Sequence, residues 1–343
     1  MSTKLSPVAL AVIFASLGFA QTPDRTFYLT NMTSSQQMAA LATMLRTVID
    51  FPNVSIDESR HAATAHGTVD QMVGAEWLIH ELDQQPVPLV AGLSPDFRMA
   101  GEKGETVRIF RLARGTTNQD LTAMTTAIRT VVDIPRLFPF EWRQTIVARA
   151  SLEQIEAADW MVRQLAPADG KTLTGDSPAY AWKGLLPPNA DAEAIRVFRV
   201  SPDATNGSLT AMVTAIRTVA DVSRIFPLES GKAIVARASV NRMALAEWLV
   251  HELNRRSHPT ASAETRITLA AKEEPTENVV RVFYVAGSNE QVTKLVTDIR
   301  TTARISRIFP YVSAGSAAIV MRGRADQMAS VESMVAKFSK TAE

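Results

Sequence analysis

The sequence predicts an α+β fold built from four tandem β-α-β-β-α units joined by structured linkers, and three observations carry that prediction. A pattern of about 60 residues occurs four times along the chain. Within each copy, apolar spacing switches between the alternation of a strand and the three-and-four spacing of a helix. The segments between copies hold more than half of the chain's 17 prolines. Composition agrees: 46% of the 343 residues are apolar and 21% charged, which excludes a mainly disordered chain. Lys plus Arg number 36 against 35 Asp plus Glu, so no basic footprint for nucleic acid or an anionic membrane exists. Cysteine is absent, which excludes disulfides, thiolate catalysis and Cys-ligated metals.

Residues 1–20 read as an export signal. Lys4 precedes an apolar stretch from Val8 to Phe19, which closes on Gly18-Phe19-Ala20 with the small residues that signal peptidase requires. The stretch is too short to span about 30 Å of hydrocarbon, and no later stretch resembles a membrane helix, so no span is expected in the mature chain. The expected compartment is a bacterial periplasm or the exterior.

The four units are placed at 24–83, 105–166, 194–254 and 278–340, with linkers at 84–104, 167–193 and 255–277. An Arg-Thr pair sets their register at Arg46, Arg129, Arg217 and Arg300. In the third unit, Leu209, Met212, Val213, Ile216, Val219 and Ala220 form one apolar helical stripe. Ser223–Pro227 and Ala233–Ala238 are short and β-branched, hence two strands. Met243, Ala246, Leu249, Val250 and Leu253 then mark a second helix. The linkers carry Phe97, Tyr180, Trp182 and Ile267, which are costly to leave in water, so they are expected to pack onto the units.

The order of elements, with Ile146-Val147-Ala148-Arg149-Ala150, Ile234-Val235-Ala236-Arg237-Ala238 and Ile319-Val320-Met321-Arg322-Gly323 in the third strand, resembles the N-terminal repeats of bacterial secretins. Ala75-Glu76, Ala246-Glu247 and Val331-Glu332 match the start of that family's closing helix. The resemblance implies KH-like, secretin-N-like units that pack side by side and meet protein partners, either secretion-system components or further copies of the chain. No β-rich pore region follows the fourth unit before Glu343, so a channel is not among the expectations.

Two sets of side chains stand out. Trp77, Trp160 and Trp248 share one position on the closing helix, pointing away from their own sheet, while the fourth unit has Ser333 there. Each Trp is expected to be covered by the linker or unit that follows; the alternative is an exposed aromatic row that binds a partner. Arg46, Arg129, Arg217 and Arg300 are expected to pair with Glu76, Asp159, Glu247 and Glu332, clamping the two helices of each unit.

His61 and His66, with Asp57 and Glu58, occur in one unit only and lack the spacing of a zinc signature. No nucleophile elbow, phosphate loop or dinucleotide fingerprint is present, and no cofactor or catalytic residue is assigned. Gly101-Glu102-Lys103-Gly104 has the letters of a KH clamp but lies in a linker, so nucleic acid is not an expected partner. The leading expectation is an exported, non-catalytic protein-interaction scaffold at the cell envelope, linked to secretion or pilus machinery. The alternative is an exported enzyme or ligand-binding protein with a site between units, around His61 and His66.

Overall fold

The computed structural model describes residues 24–84, 95–100, 104–113, 115–166, 175–188, 190–255, 264–268, 277, 279–313 and 316–342. The expected export signal lies outside them, as do parts of all three linkers. The first layer comprises β1 (Asp24–Tyr28), α1 (Ser35–Met44), β2 (Asn53–Asp57), β3 (Ala62–His66) and α2 (Val69–Asp83). The second comprises β4 (Asp96–Arg98), β5 (Thr106–Arg111), α3 (Asn118–Val132), β6 (Arg136–Phe140), β7 (Thr145–Ala150) and α4 (Leu152–Leu165). The third comprises β8 (Tyr180–Ala181), β9 (Glu193–Arg199), α5 (Asn206–Ala220), β10 (Arg224–Leu228), β11 (Ala233–Ser239) and α6 (Val240–Leu253). The fourth comprises β12 (Glu264–Thr268), β13 (Val279–Val285), α7 (Asn289–Thr302), β14 (Arg307–Ser313), β15 (Ser316–Gly323) and α8 (Ala325–Ala342). The described residues therefore form an α+β protein with eight α-helices and four small antiparallel sheets.

Local chemistry sets the helix ends. Ser34, Thr68, Ser151 and Ser288 each accept a bond from the backbone of a Gln three residues on, and that Gln returns one to the cap. Gln71, Gln154 and Gln327 reach further: each Nε2 donates to two consecutive carbonyls where the preceding helix ends, joining the two helices of a layer. After the first helix of each layer the chain reverses through a left-handed residue: Asp50, Asp133, Asp221 and, in the last layer, Arg304. Aspartate tolerates that region better than most residues.

The linkers depart from a simple covering role, because each adds a strand. The first sheet has three strands in the order β1-β3-β2, whereas the other three have four. β4 pairs with β5, β8 with β9 and β12 with β13, so Phe97, Tyr180 and Ile267 fall opposite Val107, Ile195 and Val280 in one shared register.

The layers stack helix on sheet. Residues of the first layer share one buried cluster with Val107, Ile109, Phe140 and Val147 of the second sheet. The second layer does the same with Ile195, Val197, Leu228 and Val235 of the third. The third layer closes over Val280, Val282, Tyr284, Tyr311 and Val320 of the fourth. The fourth layer's cluster contains its own residues alone. The sheets of layers two to four are thus covered on both faces, and β7 and β11 read as nearly continuous buried runs rather than alternating ones. No helix among the described residues is long and apolar enough to cross a membrane.

Candidate functional site

The strongest concentration of polar chemistry lies where one layer meets the next. The left-handed Asp50 that ends the first helix segment receives Arg136 of β6 at 2.7 Å and Arg149 of β7 at 3.6 Å. Asp133 receives Arg224 and Arg237 at 2.8 and 2.5 Å. Asp221 receives Arg307 and Arg322 at 2.9 and 3.7 Å. A glutamate at the head of the neighbouring strand braces each Arg pair. Glu105 meets Arg136 and Arg149 at 3.0 and 2.8 Å, Glu193 meets Arg237 at 2.9 Å, and Glu277 meets Arg307 at 3.0 Å. The guanidinium groups also lie at helix C-termini, where the dipole favours cations: Arg149 donates to Val48 and Ile49 carbonyls, and Arg322 to Val219.

These clamps are partly buried, so each partner depends on the other. The hydrogen bond to Asp50 raises the Arg136 pKa above the ordinary arginine value, outweighing burial. At Arg237 the balance reverses: burial lowers the guanidinium pKa despite Asp133 and Glu193. Its planar group also lies 4.1 Å from the Trp182 ring centroid. A second set of links joins two of the closing helices to the next sheet, through Arg111 to Glu81 at 3.0 Å and Tyr284 to Glu252 at 2.8 Å. The Tyr284 phenol is raised well above the ordinary tyrosine range, first by burial and then by that carboxylate.

The two ends of the stack lack one half of this arrangement each. Asn53 and His66 occupy the first-layer positions that carry the Arg pairs elsewhere, and Arg304 replaces the aspartate in the last layer.

The inter-helix ion pairs expected from the sequence are not the ones formed. Arg46, Arg129, Arg217 and Arg300 donate instead to the carbonyls of Val54, Leu137, Ile225 and Ile308, at 2.5, 3.0, 2.7 and 3.2 Å. The reason is topological. Each of these carbonyls belongs to an edge strand, whose outer backbone groups have no ladder partner. The carboxylates turn to the first strand, over which the closing helix packs. Glu76 pairs with Arg25 at 2.6 Å, Glu247 with Arg196 at 2.5 Å, and Glu332 with Arg281. Asp159, shorter by one methylene, bonds Arg163 one turn along its own helix, while Arg108 turns to Asp96 of the added strand.

The structure places Trp77 against Phe97, with ring centroids 5.5 Å apart and nearly parallel, and Trp160 against Tyr180 at 5.3 Å. Both partners belong to linker strands. Trp248 is half-buried against the cluster of the third layer, and Ser333 is exposed.

The histidines expected to mark the alternative site do not lie between layers. His61 sits in the left-handed turn joining β2 to β3, and His66 ends β3 with Nδ1 2.7 Å from Asp24. A cluster the sequence did not suggest brings ligand atoms of Asp176, Glu247 and His251 within 4.8 Å of one another. Its members already have protein partners: His251 meets Asp176 at 2.8 Å, Asp176 accepts from Arg199 N–H, and Glu247 pairs with Arg196.

No protein-family model matches the chain, and no curated protein matches it. Among solved structures, the chain is similar to one described as the ETEC pilotin–secretin AspS–GspD complex, at 10% identity and a TM-score of 0.16. That match covers 87% of this chain but 57% of the other, so the chain spans little more than half the length of that protein. A second match is the type II secretion secretin XcpQ from Pseudomonas aeruginosa, at 12% identity and a TM-score of 0.17, covering 78% and 67%.

Proposed function

We propose that this chain is an exported, non-catalytic repeat protein that acts as a protein–protein interaction scaffold at the cell envelope, tied to secretion or pilus machinery. In this reading its units at 24–83, 105–166, 194–254 and 278–340 are KH-like, secretin-N-like modules, and residues 1–20 direct export. The observation that carries the reading is the thrice-repeated contact of an aspartate with two arginines across neighbouring layers. The charged side chains of these contacts hold neighbouring layers in a fixed order. The first and last described layers are not complementary in the manner of the clamps: set end to end, two copies would bring Arg304 to Asn53 and His66, with no aspartate and no arginine pair. Partners would therefore bind the sides of the stack or its polar ends.

The test is photo-crosslinking in intact cells from Lys294 on exposed α7 and Tyr28 on β1, in the full chain. Capture of a secretin or pilus component from either position is the expected result. Crosslinks confined to this chain itself, from both positions, would overturn the scaffold reading.

A further inference from the structure

The third layer departs from its neighbours at one place, and a cavity of about 570 Å³ lies there. In the first, second and fourth layers the third position of the closing helix is Gln71, Gln154 or Gln327, which caps its own helix and holds the preceding one. The third layer has Arg242 instead. Arg242 keeps one bond, Nη1 to the Asp221 carbonyl at 3.2 Å, but its exposed guanidinium offers no acceptor to the cap. Ser239, the N-cap of α6, makes no side-chain cap bond, and its buried Oγ has no partner.

A second departure converges on the same cavity. The Nη1 atoms of Arg149 and Arg322 donate to carbonyls of the preceding helix. At the matching Arg237, which is 4% exposed and lines the cavity, Nη1 has no partner. Arg224 and Arg322 line the walls too. Of the carboxylates there, Glu193 is engaged by Arg237, and Asp221 by Arg307 and Arg322. Asp191 completes the acidic lining.

We propose that this cavity binds a compact oxyanion of the phosphate class, held by Ser239, Arg242 and the first-turn N–H groups of α6, with the inner guanidinium of Arg237 beneath. A helix N-terminus without a side-chain cap supplies oriented donors and a favourable dipole. Two arginines supply charge and planar donors suited to phosphate oxygens. Ser239 Oγ and Arg237 Nη1, which have no protein partner, are donors that an oxyanion satisfies.

Isothermal titration of the full chain with inorganic phosphate, at constant ionic strength, tests this. One saturable site is expected. Arg242→Gln, which restores the glutamine pattern of the other layers, should weaken it by about tenfold or more while leaving the fold intact, and Ser239→Ala should weaken it severalfold. Flotation with phosphatidic acid vesicles identifies the source of the phosphate group. Vesicle binding that free phosphate displaces assigns a lipid headgroup, and binding of free phosphate alone assigns a soluble ligand. No saturable phosphate binding, or equal affinity in Arg242→Gln, would overturn the proposal.

Discussion

Tyr28 and Tyr284 occupy the same register in the first strands of the first and last layers, yet Tyr28 is 70% exposed and Tyr284 is 3% exposed. The difference is what lies in front of each sheet. Nothing among the described residues precedes β1, and the outer face of the first sheet carries Asp24, Thr26, Ser55 and Thr64. Helix α5 and the end of α6 lie against the fourth sheet, whose matching positions are Val280, Val282, Phe309 and Val320. The helices show the complementary contrast. Ala211 and Ala215 of α5 let the next sheet approach, while α7 has Lys294 and Asp298 at those places, both exposed. A layer is therefore interior or terminal by the polarity of two faces, sheet in front and helix behind.

The contrast can be broken most strongly at Ala215, which is fully buried. Ala215→Asp copies the terminal helix into an interior position and should cost more than about 4 kcal/mol, read by urea unfolding, because it buries an unpaired charge. Asp298→Ala on α7 should stay within about 0.5 kcal/mol. Next comes the clamp. Asp221→Arg copies Arg304 and places a third guanidinium beside Arg307 and Arg322, so a loss of about 3 kcal/mol is expected. Faster amide exchange should appear in β13–β15, and equal exchange there would refute the clamp's role. Trp77→Ala should cost about 2 kcal/mol, below the range for a fully buried Trp, and should expose the amides of Asp96–Arg98.

Smaller effects sharpen the comparison between the two tyrosines. Tyr284→Phe should cost about 1 kcal/mol, since Glu252 keeps a contact with Arg255, and Tyr28→Phe should cost nothing measurable. Because the folded Tyr284 phenol titrates above its unfolded value near pH 10, its contribution is complete below about pH 10 and is lost as pH rises beyond it. Alkaline unfolding monitored by circular dichroism should therefore shift to higher pH in Tyr284→Phe.

Several of these contacts were in view in the sequence without being readable as contacts. Arg136 and Arg149 stand inside the repeated pattern, and Asp50, Asp133 and Asp221 follow the Arg-Thr pair at a constant interval. Their absence at Asn53, His66 and Arg304 was a signal of terminal layers, as was the change from Ala211 and Ala215 to Lys294 and Asp298. Ser333, by contrast, reflects the absence of linker cover over α8 among the described residues rather than the stacking of layers. The added strands were legible only as apolar residues: Phe97 and Tyr180 lie in strands too short to show a period. The expected Arg–carboxylate pairs failed because helix faces show which residues are near a border, not which acceptor waits there.

What the sequence determined by itself is local. Periods of 3.6 and 2 place helices and strands, Ser and Thr with Gln start the helices, and aspartate permits the left-handed reversal after the first helix. These depend on neighbours within a few residues and so are written in order along the chain. Tertiary structure alone decided which sheet face is covered, which arginine meets which carboxylate, and where unpartnered donors gather near α6. Arg237 illustrates the reason: its partner Asp133 is 104 residues away, and only the stacking of one layer on the next brings the two within 2.5 Å.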